Sequence, residues 1–240
     1  LKACGQIQAL DKGYEIHAEI ERLGLDKRNF DVGNALIDMY GKHGFLHEGK
    51  QVFHSLSERD MVSWTAMMNA HGSVNDWEMA IRCFEEMQKE HVKPDGTTFK
   101  CLLNACSHGG LLEEGEQLFN EMLHVYHLNP TLEHYTCMVD LYGRAGQFVM
   151  AMAVIKVMPT CNCLLVWTTL LGACKKWGNV NLGVSAFEKA VKLDDKDASA
   201  YLLMSSIYKG AGMHEHAKRI ETMRVEKEAW KMVKHCSWDI

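Results

Sequence analysis

The sequence predicts an all-α protein, a solenoid of antiparallel helix-turn-helix repeats, and two recurring signatures on one period predict it. Leu1-Lys2-Ala3-Cys4 returns as Leu103-Asn104-Ala105-Cys106 and as Leu171-Gly172-Ala173-Cys174, so the cysteines stand 102 and 68 residues apart, three and two times 34. Asp38-Met39-Tyr40-Gly41-Lys42-His43-Gly44 keeps the same beat and recurs 102 residues later as Asp140-Leu141-Tyr142-Gly143-Arg144-Ala145-Gly146. Between the signatures the apolar residues follow helical spacing, Leu36, Met39 and Tyr40 in one segment and Leu46, Gly49, Val52, Phe53 and Leu56 in the next. An array of this kind carries its function on a repeated surface, not in one pocket.

Cutting at equivalent points gives a partial unit 1–29, then 30–60, 61–95, 96–131, 132–163, 164–199 and a last unit 200–240. Each unit reads as two short helices. The Gly-x-x-Gly pairs Gly41 to Gly44 and Gly143 to Gly146 are expected where a tight turn reverses the chain between them. Second helices close with Phe84-x-x-Met87, Phe119-x-x-Met122 and Ile155-x-x-Met158, pairs placed to pack on the preceding helix. The complete unit lengths alternate as 31, 35, 36, 32 and 36. A tetratricopeptide array holds its length near 34 and shows a regular Trp/Leu-Gly/Tyr/Ala/Phe/Pro pattern, and this chain does neither.

Composition narrows the class. Of 240 residues 47% are hydrophobic and 24% charged, ample to bury a core, and three prolines with nineteen scattered glycines leave no linker between independent domains. The net charge of −5 argues against a strongly basic nucleic-acid binder, but it averages over faces and is silent on a basic stripe along one side. Nine cysteines, an odd number at no framework spacing, read as reduced and packed thiols, which excludes a secreted disulfide scaffold. No apolar stretch approaches the roughly 20 residues of a membrane helix. Leu1 falls inside a repeat, so any organelle-targeting peptide would lie upstream of it.

With the units aligned, the residues resemble the plant pentatricopeptide repeat proteins, specifically the PLS subclass in which long, short and standard-length motifs alternate. Val32 to Tyr40 is similar to the short motif, Val62-Ser63-Trp64-Thr65-Ala66-Met67 to the standard motif, and Leu102 to Leu111 to the long motif. Glu133 to Asp140 resembles the final short motif. Val166 to Cys174, with Gly178-Asn179-Val180, resembles the first unit of the C-terminal extension found on RNA-editing members. Tyr201 to Tyr208 and the ending Cys236-Ser237-Trp238-Asp239-Ile240 resemble its second unit. The resemblance implies a right-handed α-solenoid, with a repeat array over 1–163 and a tetratricopeptide-like extension over 164–240. It also implies single-stranded organellar RNA and deaminase-bearing or other editing-factor proteins as partners, no cofactor, no small-molecule substrate and no membrane. The location implied is the mitochondrion or the chloroplast, the former slightly ahead.

In that family each hairpin reads about one base, using the fifth and last residues of a unit. The resemblance therefore implies Asn34 with Asp60 for uracil and Thr65 with Asp95 for guanine. Val62, second in its unit, takes the place of the apolar residue that wedges between bases, and Asp31 departs from that pattern. The long unit offers Lys100 and Thr131 and receives no base. The next offers Thr136, opposite Cys163, a poor hydrogen-bonding partner. Lys42, Arg144 and Lys176 each fall thirteenth and are candidates to neutralise phosphates. Each has a plainer alternative: Asn34 and Thr65 as helix-start residues, Asp60 and Asp95 as N-terminal caps, Lys42 and Arg144 as cations near a helix C-terminus.

Deaminase chemistry requires His-x-Glu with Cys-x-x-Cys around zinc. His17-Ala18-Glu19 matches the first half by chance, and Cys161-Asn162-Cys163 has the wrong spacing. The pairs His43/His47 and His214/His216 read as surface histidines, and no phosphate loop or nucleophile elbow is present. No catalytic or metal residue is assigned. The expected reading is the RNA-specificity module of C-to-U editing, with 164–240 positioning a deaminase supplied after Ile240 or in trans. The alternative is a helical scaffold that binds proteins without reading RNA.

Overall fold

A computed structural model describes residues 10–24, 30–159 and 163–227, so Leu1 to Cys4, Cys161-Asn162 and the Cys236 to Ile240 ending lie outside the described residues. Among the described residues there are thirteen α-helices and no strand. They form two units, 1–129 and 130–240. The first holds α1 (Leu10–Leu23), α2 (Phe30–Lys42), α3 (Leu46–Ser55), α4 (Met61–Ser73), α5 (Trp77–Lys89), α6 (Gly96–Gly109) and α7 (Leu112–His124). The second holds α8 (Leu132–Arg144), α9 (Phe148–Val157), α10 (Leu164–Trp177), α11 (Val180–Leu193), α12 (Ala198–Gly210) and α13 (His214–Glu226).

First helices stack side by side, α2 on α4 on α6 in one unit and α8 on α10 on α12 in the other, while each second helix packs on its own first helix. Burial follows from that position. The second helix α5 buries Ala80, Cys83, Phe84 and Met87, one stripe at i, i+3, i+4 and i+7, and α11 repeats it with Gly183, Ala186, Phe187 and Ala190. A first helix has neighbours on several sides and loses the one-sided pattern, so α10 is buried at every position from Val166 to Cys174. In its two described copies the Leu-x-Ala-Cys element is core, with Leu103, Ala105, Cys106, Leu171, Ala173 and Cys174 at 0–3% exposure. Each fully buried leucine contributes about 1.5–3 kcal/mol. Burial also pushes the Cys174 thiol up to about 12 and that of Cys83 up to about 11, so both stay protonated, inert packing groups. The closing pairs fit less evenly: Phe84 and Met87 are buried, but Leu118 takes the place expected for Phe119, which is half-buried beside a buried Met122.

The Gly-x-x-Gly pairs divide into two roles. Gly44 and Gly146 are turn residues at φ 77° and 75°, each followed by an amide that bonds back to the tyrosine carbonyl five residues earlier, Phe45 to Tyr40 at 2.9 Å and Gln147 to Tyr142 at 2.8 Å. Gly41 and Gly143 instead lie inside α2 and α8, not in the turn. A Cβ on Gly41 would stand 2.7 Å from the Ala70 Cβ of α4, and one on Gly143 would stand 2.7 Å from the Ala173 Cβ of α10. The first glycine of the pair is a helix-helix contact.

Gly143→Ala should destabilise the protein by about 1–3 kcal/mol, because the overlap outweighs the gain in helix propensity of roughly 1 kcal/mol. Ala173→Gly removes the opposing methyl, so the double variant should lose less than the sum of the single losses. Urea unfolding of the four proteins measures that coupling, and strict additivity would remove the contact from the account.

Candidate nucleic-acid interface

Two of the expected base-reading pairs are assembled at the starts of first helices. Asn34 sits in the opening turns of α2, 7% exposed, and its Nδ2 donates to Asp60 Oδ1 at 3.4 Å. Asp60 caps α4, accepting the Ser63 amide and the Ser63 hydroxyl, both at 2.8 Å. One carboxylate oxygen thus gathers three donors. The other end of the Asn34 amide is different: Oδ1 is buried and accepts no hydrogen bond among the described residues. An acceptor left in that state costs about 1–3 kcal/mol.

The next pair is joined less directly. Thr65 in α4 donates to the Met61 carbonyl at 2.8 Å and stands 3.1 Å from the hydroxyl of Thr98 in α6. Thr98 in turn donates to Asp95 Oδ1 at 3.1 Å, and Asp95 caps α6 by accepting the Thr98 amide at 2.9 Å. The capping reading and the pairing reading are therefore both realised, by the same aspartates, while Asn34 and Thr65 cap nothing. Ser63 and Thr98 were missed in the sequence, although Asp60-x-x-Ser63 and Asp95-x-x-Thr98 are capping signals that point to them.

The remaining candidates are arranged otherwise. Val62 is 50% exposed at the start of α4, free to meet a base face. Thr136 in α8 is buried and donates to the Leu132 carbonyl at 2.8 Å, and Cys163 precedes α10 without a side-chain cap bond. Thr131 is held by His134, its hydroxyl 2.8 Å from Nδ1. The basic residues carry their own counter-ions. Lys42 pairs with Asp38 at 2.6 Å and Arg144 with Asp140 at 2.9 Å, one i, i+4 pair in each copy of the signature. Lys176 donates to the Arg144 carbonyl at 3.0 Å, which places its ammonium at the C-terminal end of α8.

His17 has a structural partner, with Nδ1 2.7 Å from the Tyr40 hydroxyl, and His43 Nδ1 lies 2.8 Å from the Met39 carbonyl. Among the described residues no three His, Cys, Asp or Glu side chains are gathered to hold a metal, and no helix is long and apolar enough to cross a membrane.

Stacked helical hairpins with a repeated pairing at their N-terminal ends define a helical-repeat protein that carries its contact residues on successive units. A family model described as PPR repeat family matches residues 59–108, and one described as PPR repeat matches 34–61, 97–124, 133–163 and 165–194. The chain belongs to the pentatricopeptide repeat family. It is 38% identical over 240 residues to the Arabidopsis thaliana pentatricopeptide repeat-containing protein CRR2, chloroplastic, covering 100% of this chain and 36% of that protein. It is 40% identical over 232 residues to the Arabidopsis thaliana mitochondrial protein At2g22410, covering 97% of this chain and 34% of that one. The chain thus spans about a third of the length of these relatives. The crystal structure of PPR10 from maize superposes with a TM-score of 0.62 at 19% identity, over 80% of this chain and 29% of that one. PPR10 in complex with an 18-nt psaJ RNA element gives 0.54 at 17%, over 83% and 28%.

Burial pushes the Asp60 carboxyl up, but the Ser63 amide and hydroxyl and the Asn34 amide outweigh it and hold the group below the usual carboxylate range. A lowered folded pKa means the contribution is complete above the ordinary value of about 4 and is lost as pH falls through the folded value. The urea-midpoint difference between the wild type and Asp60→Asn should be constant above that value and shrink below it. A difference independent of pH would contradict the assignment.

Proposed function

We propose that the chain is a sequence-specific single-stranded RNA-binding module. The repeated pairing at the helix starts carries the reading: the Asn34 amide is held on Asp60, and the next unit presents Thr65 in the equivalent place, joined to Asp95 through Thr98. Asn34 with Asp60 reads uracil, Thr65 with Asp95 reads guanine, and Val62 stacks between the bases, worth about 1–3 kcal/mol when fully formed. Thr136 makes a weaker contact without an acidic partner. Lys42, Arg144 and Lys176 line the phosphates, their net effect reduced by Asp38 and Asp140. The RNA complex of PPR10 supports this use of the fold.

The module belongs to an organellar protein, in the mitochondrion or the chloroplast, as the names of its relatives support. Its finer role is specificity in C-to-U RNA editing: the alternating PLS array over 1–163 selects the site, and the extension over 164–240 positions or recruits a cytidine deaminase. The second reading, a protein-binding scaffold, draws on α9, where Val149, Met150 and Val157 are exposed at 83%, 43% and 68%.

A salt titration separates the two. RNA affinity should fall steeply with salt, in proportion to the phosphates neutralised, whereas an apolar protein contact should change little. Thr65→Asn with Asp95 kept should move the preference at one nucleotide from guanine towards uracil. An unchanged profile across randomised RNAs would sink that assignment.

A further inference from the structure

The two base-facing pairs share a third member that neither pairing accounts for. Ser63 and Thr98 are each the third residue of the next first helix, and both are completely buried at 0% exposure. Each gives its hydroxyl proton to the aspartate that precedes it, Ser63 to Asp60 and Thr98 to Asp95. Neither side chain is exposed to touch RNA. In the following hairpin the same place holds His134, 2% exposed and paired with Thr131, and after that Val166, where Cys163 makes no side-chain cap bond.

We infer that Thr98 is a specificity-setting positioning residue, whose hydroxyl fixes the polarity of Thr65 and the orientation of Asp95 towards a base that offers N–H donors. The inference rests on the base-reading proposal above. Thr65 and Thr98 have one hydroxyl proton each. The proton of Thr98 goes to the Asp95 carboxylate, the strongest acceptor within reach, at 3.1 Å. Thr98 Oγ1 is then an acceptor towards Thr65, 3.1 Å away, and the Asp95 amide approaches it at 3.4 Å. The proton of Thr65 is consequently held inside the protein, on the Met61 carbonyl at 2.8 Å or on Thr98. What remains on Thr65 for a ligand is lone pairs. A hydroxyl and a carboxylate that both accept suit the guanine edge, with its N1–H and N2–H2 donors, over adenine, whose N1 is an acceptor.

Thr98→Val keeps the branched shape and removes the hydroxyl, and Thr98→Ser keeps the hydroxyl and removes a methyl. Binding of the full chain to RNAs that differ only at the nucleotide opposite Thr65 reads the ratio of guanine to adenine affinity, and thermal melts follow folding. Thr98→Val should lower that ratio roughly three- to ten-fold, the worth of one hydrogen bond, and Thr98→Ser should restore it. A loss of affinity uniform over all four nucleotides, or a serine variant that loses the ratio as valine does, would assign Thr98 to packing and capping alone and overturn the inference. A Thr98→Val protein with the wild-type ratio would overturn it too, leaving base reading by Thr65 intact. If the wild type shows no nucleotide preference at all, the base-reading proposal falls and takes this one with it.

Discussion

Two pairs of neighbouring first helices touch nearly backbone to backbone, and the packing around each pair is arranged on that contact. Gly41 of α2 faces Ala70 of α4, and Gly143 of α8 faces Ala173 of α10, each with no room for a further carbon. The missing side chain sets how near the two helices come. Between α2 and α4 that distance brings the end of one hairpin against the start of the next first helix, so that Asn34 reaches Asp60. A larger residue at Gly41 would separate these helices and, with them, the 3.4 Å hydrogen bond from Asn34 to Asp60, which tolerates little displacement.

The aspartates between hairpins serve two physical demands at once. A helix start leaves amides without intrahelical partners, and Asp60 and Asp95 each satisfy one. The bond also fixes the carboxylate, and a fixed carboxylate is what the proposed recognition of a base edge needs. Capping and reading are compatible because a carboxylate has two oxygens and about four lone-pair sites. The cap takes Oδ1 in both units. This sharing explains why the plain and the functional readings of these residues never needed to exclude one another.

Much of the hairpin arrangement was legible because helices and their turns are local. The recurrence of Leu-x-Ala-Cys marks residues that are core in α6 and α10, and its cysteine carbonyl accepts the turn-closing amide, from Leu111 at 2.9 Å and Asn179 at 3.0 Å. In the hairpin of α4 and α5 the same turn is made by Asn75 at φ 61°, with no glycine to announce it. The candidate site was legible only in part. Asn34, Asp60, Thr65 and Asp95 could be picked out by position, but Ser63 and Thr98 were not, although each stands third after an aspartate cap. Lys42 and Arg144 were candidates for phosphates or for a helix C-terminus, and Asp38 and Asp140, present in the same signature, pair with them. One turn of helix, invisible as a contact in a linear reading, brings each pair together.

The sequence by itself determined the fold class, the family and the period, since each rests on residue types recurring at fixed spacing along one chain. It also determined which positions recur, and hence which were worth asking about. Tertiary structure decided what those positions do. Gly41 became a contact instead of a turn, Asn34 was left with an unmet acceptor, and Thr65 joined Asp95 through Thr98, a residue 33 positions away. Such outcomes depend on distances between helices, and a distance between helices is set by packing, which no local pattern contains.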